Sequence, residues 1–280
     1  MNAPTADPEP AAHYDRVTDG WRLLFGDSLH YGVFDQGDEP LAVATQALTD
    51  RMIAAAAFEP GLRVLDIGCG TGDPACHLVR TQDVDVLGIT TSRVGVDRAS
   101  ARAAADGLAD RATFEVRDGT ANELPDESFD RVWALESSHL MPARDALIAE
   151  SARVLRPGGR LVLCDLIRRR DIPFKEVRDR RVDFATLREA FGEARMDPLD
   201  SYLALAEAQG LTIEVRTDLT EATLPTFDRW RANIAEHRDE LVELLGADGL
   251  DAFERSTHIL EGFWHDGTLG YALFAASKPA

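Results

Sequence analysis

The stretch from Arg63 to Gly72, R-V-L-D-I-G-C-G-T-G, constrains this chain more than any other. Val64, Leu65 and Ile67 form a short apolar run of the kind found in buried strands, and Asp66 interrupts it. Gly68, Gly70 and Gly72 then alternate with Cys69 and Thr71. A strand running straight into alternating glycines predicts a tight strand-to-helix turn, where missing Cβ atoms let a ligand reach the backbone. The spacing is G-x-G-x-G, not the G-x-G-x-x-G of a dinucleotide site. No Lys-Ser or Lys-Thr follows, as a P-loop would require.

With 280 residues the natural expectation is one large domain with room for an insertion. No run of 18 or more apolar residues occurs, which argues against a spanning helix. The first residues lack a basic start followed by an apolar core, so no secretory signal is read and a cytoplasmic location is expected. A formal charge of −19 repels phosphate backbones and anionic membranes, which disfavours nucleic-acid and membrane partners. The dense basic spots, Arg168 to Arg170 and Arg178 to Arg181, are expected to pair with nearby acids. Cys69, Cys76 and Cys164 have neither zinc-like nor C-x-x-C spacing, so no metal is expected and the thiols are read as reduced.

Periodicity places the elements. Residues Met1 to Ala12 are small, polar and Pro-rich and read as frayed; Val17, Trp21, Leu24 and Phe25 could share one face of a short helix ending near Gly26. Helices are predicted over Leu41 to Phe58, Pro74 to Arg80, Val96 to Gly107, Arg144 to Val154 and Pro198 to Gly210. Strands are predicted over Val84 to Ile89, Ala112 to Arg117, Arg131 to Glu136, Arg160 to Leu166, Leu211 to Leu219 and Gly270 to Ala276, with Arg156 to Gly159 a turn. Arg168 to Asp197 reads as charged and helical. Thr226 to Leu245 and Leu250 to Phe263 read as two amphipathic helices inserted before the last strand.

Several of these segments carry a family likeness. V-L-D-I-G-C-G-T-G resembles the first motif of the class I S-adenosylmethionine (SAM)-dependent methyltransferases. Leu29-His30-Tyr31-Gly32 resembles an element near the start of the tocopherol-, sterol- and glycoside-type enzymes, and G-I-T-T-S, from Gly88, resembles the same branch. W-A-L-E-S-S-H-L-M-P, from Trp133, resembles enzymes that methylate sugars and other natural products; L-R-P-G-G-R-L, from Leu155, also matches. The likeness covers the chain closely up to Asp165 and loosely thereafter.

The resemblance implies an α/β fold, a Rossmann-like doubly wound seven-stranded sheet with an inserted helical lid. SAM would lie across the carboxyl ends of the strands and leave as S-adenosylhomocysteine. Residues 1–40 would form an arm over the site and residues 41–280 the methyltransferase domain, with lid insertions at about 168–197 and 221–264. Carried over position by position, it implies cofactor contacts from Asp66, Gly68, Gly70 and Gly72. Thr91 and Ser92 would stand where other folds keep a ribose carboxylate. Asp118, with Gly119, would face the adenine amino group, Glu136 the methionine part, and Tyr31 would contribute from the arm. His139 and Asp165 are the implied catalytic pair. Tyr14, Trp21, Leu140 and Phe174 are candidates for the substrate pocket.

The implied partner is a small, largely apolar specialised metabolite, with self-association through the arm or lid helices a further expectation. A hydroxyl acceptor would use His139 as base and Asp165 to orient it. An alkene acceptor would need no initial base but would want aromatic faces around the resulting cation. The sequence leaves both open, together with a non-catalytic SAM-binding protein and, on weaker grounds, a nicotinamide-dependent dehydrogenase.

Overall fold

Strand residues alternate between two apolar layers, and that alternation builds the molecule. The computed structural model describes residues 20–26 and 28–280. Its strands are β1 (Arg63–Ile67), β2 (Asp85–Thr90), β3 (Ala112–Val116), β4 (Phe129–Leu135), β5 (Leu155–Arg168), β6 (Thr212–Asp218) and β7 (Leu269–Ser277). They form one seven-stranded sheet in the order β3-β2-β1-β4-β5-β7-β6. The first five are parallel, while β7 runs antiparallel to both β5 and β6. Val64, Trp133, Val162 and Cys164 fall in one apolar cluster; Leu65, Val132, Leu161 and Leu163 fall in the other. Helices α1 (Leu41–Ala56), α2 (Asp73–Gln82) and α3 (Arg93–Ala105) cover the first face. Helices α4 (Arg144–Val154) and α7 (Leu199–Ala208) cover the second. The strand order reverses beside β1, so the crevice of the sheet opens at the carboxyl ends of β1 and β4.

Several boundaries differ from the periodicity. Helix α3 starts at Arg93 because the Ser92 hydroxyl caps it, accepting from the Gly95 N–H at 2.8 Å. Strand β5 takes up the predicted turn because Gly158 N–H donates to Lys278 O and Lys278 N–H to Gly159 O. It also runs on past Leu166, because β7 pairs with it as far as Arg168 opposite Leu269. The break expected near residue 246 is present at Gly246, with φ 76° and ψ 160°, but a second one falls earlier at His237.

Two groups of helices leave the sheet. Helices α5 (Phe174–Asp179) and α6 (Arg181–Phe191) follow β5; α8 (Thr220–Thr223), α9 (Thr226–Glu236) and α10 (Arg238–His265) lie between β6 and β7. The groups pack together: Phe184 meets Phe263 at 5.5 Å, and the Arg180 guanidinium sits 3.8 Å from the Phe263 ring centre. Both ends of the second group are pinned at one place. Leu219 N–H donates to Tyr271 O at 2.8 Å, Tyr271 N–H to Thr220 Oγ1 at 3.1 Å and Trp264 Nε1–H to Thr223 Oγ1 at 3.2 Å.

Residues 20–26 and 28–34 thread into the same layer. Phe25 lies 4.6 Å from Trp230, Phe34 N–H donates to Ala222 O at 2.8 Å, and Asn233 Nδ2 donates to Leu24 O at 2.8 Å. The basic spots pair with acids as expected, including Arg170 with Glu176 and Arg180 with Asp183 and Asp266. Among the described residues no helix is long and apolar enough to cross a membrane.

Candidate active site

The three turn glycines divide their work. Gly68 N–H and Cys69 N–H both reach Ile89 O, which carries the β1–β2 pairing into the turn. Gly68, Gly70 and Gly72 have φ of 78°, 53° and 78°, the left-handed region that glycine enters most easily. A Cβ at Gly68 would lie 2.2 Å from the Ser137 Cβ, and one at Gly72 would lie 2.7 Å from the Ala99 Cβ. Gly70 has nothing within 4 Å and is exposed, so its bare backbone faces open space. Beneath the turn Asp66 is 2 % exposed, and its Oδ2 has no hydrogen-bond partner among the described residues. Burial raises this carboxyl to about 7.

At the end of β4, Glu136 adopts φ 47° and faces the N-terminal segment. Its Oε1 accepts from Tyr31 N–H at 2.7 Å and from Tyr271 Oη at 2.5 Å. Loss of water raises Glu136 to about 8, with the Asp165 charge adding to the rise and those two hydrogen bonds opposing it. The Tyr31 ring is walled by aromatics: Trp264 stacked at 5.5 Å, Trp230 edge-on at 4.7 Å and Phe227 edge-on at 5.6 Å. Its hydroxyl has no partner among the described residues.

These two carboxyls set a pH dependence of stability. Asp66 and Glu136 bind their protons more tightly folded than unfolded, where the ordinary values are 3.8 and 4.5. Their contribution is therefore full below those values and lost as pH rises through about 7 and about 8. The ligand-free protein is expected to melt several degrees lower at pH 9 than at pH 6, and Glu136→Gln is expected to flatten that fall. A wild-type fall that the variant reproduces unchanged would exclude Glu136 as its source.

The sharpest geometry lies next to Glu136. His139 sits on a one-turn 3-10 helix (Ser138–Leu140), and its Nδ1 is 2.7 Å from Asp165 Oδ1. Asp165 also accepts from His139 N–H at 3.0 Å, Ser138 Oγ at 2.5 Å and Leu166 N–H at 2.7 Å. Burial alone would raise this fully buried carboxyl. The His139 charge and hydrogen bond, with those from Ser138 and Leu166, outweigh it and hold Asp165 below its usual value. An ionised Asp165 places the Nδ1 proton between the two groups and leaves Nε2 as the free basic nitrogen. Among the described residues no cluster of metal-ligating side chains occurs.

The structure brings together most of the residues named from sequence. Asp66, the glycines, Glu136, Tyr31, His139 and Asp165 border the crevice. Asp118 is exposed after β3, its Oδ1 accepting from Thr120 N–H at 2.8 Å and Thr120 Oγ1 at 2.7 Å. Gly119 packs on Ile67, where a Cβ would approach to 2.5 Å. Thr91 is exposed beside Ser92, and Leu140 is half-buried next to His139.

Other placements differ from expectation. Asp165 does not close its strand: it lies three residues inside β5, opposite Ala272, because β7 extends the pairing. Phe174 does not line a pocket; it is 81 % exposed on α5, a short surface helix with no buried residue, held by Arg170 and Glu176. Trp21 is buried against Phe25 and Phe191 in the aromatic layer. Tyr14 lies outside the described residues. Ser138, Tyr202, Tyr271 and Arg144 join the site without any sequence signal. Their polar atoms sit in runs that read as core or helix start, and no local spacing announces them.

SAM fits this donor set. Asp66 and Glu136 are two carboxyls with no Arg or Lys partner among the described residues, suited to a ligand that brings positive charge, and Gly70 offers bare backbone in the turn after β1. Comparison with known proteins agrees. Over 280 residues, covering 100 % of both chains, the protein is 37 % identical to a 27-O-demethylrifamycin SV methyltransferase of Amycolatopsis mediterranei. It is 34 % identical to methyltransferase GfsG of Streptomyces halstedii, over 97 % of this chain and 94 % of that one. The fold matches crystalline mycolic acid cyclopropane synthase CmaA1, complexed with SAH and CTAB, at a TM-score of 0.86 and 21 % identity, over 97 % and 99 % of the two chains. Residues 4–265 match the mycolic acid cyclopropane synthetase family. With the glycine turn, the paired carboxyls and this sheet order all in place, the chain belongs to that family and is a SAM-dependent methyltransferase.

Proposed function

We propose that this enzyme methylates a hydroxyl group on a small, largely apolar natural product, with His139 as general base. One observation carries the reading: the 2.7 Å contact between His139 Nδ1 and a buried, ionised Asp165. SAM would be held by Asp66, Gly68, Gly70, Gly72, Asp118 and Glu136, and when bound it supplies a methyl group activated by its sulfonium. The chain's own residues do the rest. His139 Nε2 would take the acceptor's proton as the oxygen's electron pair forms the new O–CH3 bond, the methyl's bond to sulfur breaking with its electron pair left on the departing S-adenosylhomocysteine, and Asp165 would stabilise the imidazolium that results. The helices of the two insertions, with residues 20–26 and 28–34, form a lid that keeps water from the reacting atoms. The relative that methylates 27-O-demethylrifamycin SV supports an oxygen acceptor.

A second reading has its own observation. The aromatic walls around Tyr31, namely Trp230, Trp264 and Phe227, would suit a carbocation formed from an alkene acceptor. Labelled-methyl transfer to 27-O-demethylrifamycin SV, other hydroxyl-bearing metabolites and prenyl alkenes separates the two. Treating the product with hydriodic acid releases label only from a methyl ether. Release of label is expected; label retained on carbon would overturn the hydroxyl reading.

A further inference from the structure

Behind Asp165 a line of buried polar groups runs away from the crevice. Asp165 Oδ2 is 2.5 Å from Ser138 Oγ, which is 2.8 Å from Tyr202 Oη, which is 2.7 Å from Arg144 Nε. Ser138 is 0 % exposed, Tyr202 1 % and Arg144 5 %. Only one arrangement of protons satisfies all three contacts. An ionised carboxylate can only accept, so Ser138 donates its single proton to Asp165. Ser138 must then accept from Tyr202, and Tyr202, its proton committed, accepts from Arg144, which can only donate. Every hydrogen bond points the same way, from a guanidinium to a carboxylate, so each polarises the next.

The cationic end is itself fixed. Arg144 also donates to Met141 O and Arg195 O, lies 3.6 Å from Asp197 Oδ2, and its guanidinium stands 5.8 Å from the Tyr202 ring centre. Arg195 N–H in turn donates to His139 O at 2.8 Å, so the same assembly grips the backbone of the catalytic turn.

We propose that Ser138, Tyr202 and Arg144 are positioning residues: a one-directional hydrogen-bonded array that locks the Asp165 carboxylate, and through it the His139 ring, in a single orientation with Nε2 presented to the acceptor. The proposal deepens the reading of His139 as base and rests on it. Tyr202 suits the middle place because burial and the Asp165 charge push its phenol up to about 12, against the opposing pull of Arg144 and Ser138, so it remains a donor at working pH. The other titratable groups around the dyad are Glu136 after β4, Cys164 on β5, Tyr31 from the N-terminal segment and Tyr271 on β7. Burial pushes all of them toward their neutral forms. Asp197 balances Arg144 from the far side.

The test needs no acceptor. His139 is titrated by the NMR signal of its imidazole Cε1–H in the full-length protein, the signal being identified by its loss in His139→Gln. Tyr202→Phe and Ser138→Ala each break the array and leave the carboxylate carrying more of its own charge. That favours the imidazolium, so the His139 midpoint is expected to rise by about half a unit in both. Folded variants, shown by cooperative melting, whose His139 midpoint is unchanged or lowered would overturn the array and reduce these residues to packing. Turnover of His139→Gln reports separately on the base, so the array can fail while the base stands, or the reverse.

Discussion

His139→Gln is expected to lower methyl transfer by about 10²- to 10⁴-fold, the range lost when a positioned general base is removed. Gln is close in size and can still donate to Asp165, but it offers no basic nitrogen to an acceptor hydroxyl. The loss should fall on kcat. The carboxyls and glycines proposed to hold SAM lie on β1, just after β4 and in the turn after β1, and none of their hydrogen bonds passes through the His139 ring. Isothermal titration with SAM and with S-adenosylhomocysteine should therefore give affinities within about twofold of wild type, since no contact is removed. Turnover surviving at wild-type level would exclude base catalysis by His139 and shift the balance to the alkene acceptor. Turnover and SAM affinity lost together would mean that the substitution disturbs the turn rather than the chemistry.

Gly68→Ala is expected to cost the enzyme both SAM binding and stability. The new methyl would stand 2.2 Å from the Ser137 Cβ. Ser137 cannot simply swing away, because its hydroxyl donates to Ile67 O at 2.7 Å, on the residue just before Gly68. Left-handed backbone costs a non-glycine residue about 1–2 kcal/mol, and overpacking adds about 1–3 kcal/mol. Together these predict a melting temperature lower by on the order of 5–15 °C and SAM affinity weakened by at least about tenfold as the turn shifts. Gly70→Ala is the informative contrast. Nothing lies within 4 Å of its Cβ, so only the backbone strain of about 1–2 kcal/mol applies and melting should change far less. If Gly70 faces SAM, that variant still loses affinity. Unchanged binding in both variants would remove the turn from the cofactor site.

What the sequence disclosed follows from which interactions are local. The glycine turn, the strand before it and the alternation of strands and helices are governed by neighbours within a few residues, and their order along the chain matches the structure. His139 and Asp165 could be named because a motif carries each, though their 2.7 Å contact spans 26 positions. The array behind them was not legible. Ser138, Arg144 and Tyr202 come from a one-turn helix, the start of α4 and the middle of α7, and only the packing of α7 on the second face brings Tyr202 to Ser138. A tyrosine with apolar neighbours at helical spacing reads as core, and by burial it is core; its hydroxyl is what matters. Phe174 misled in the opposite direction. An aromatic in a charged helical stretch suggested a lining residue, yet the six-residue α5 has no apolar face to bury it. The strand ends erred where β7 decides them, since an antiparallel partner arriving a hundred residues later sets how far β5 runs.

The pinning of both ends of the second helical insertion has a consequence for how this enzyme can change. Leu219 and Thr220 hold Tyr271 by two backbone-directed hydrogen bonds, so the segment between them leaves the sheet and returns to it at one point. For a connection closed in this way, each doubling of its length adds only about 0.6 kcal/mol of closure entropy. Exposed turns and helix ends there can be lengthened or shortened while β6 and β7 stay in register, but Phe227, Trp230 and Trp264 pack on Tyr31, whose N–H donates to Glu136, and so tie the inner faces of α9 and α10 to the site. The insertion is thus open to change on its outer face and anchored on its inner one.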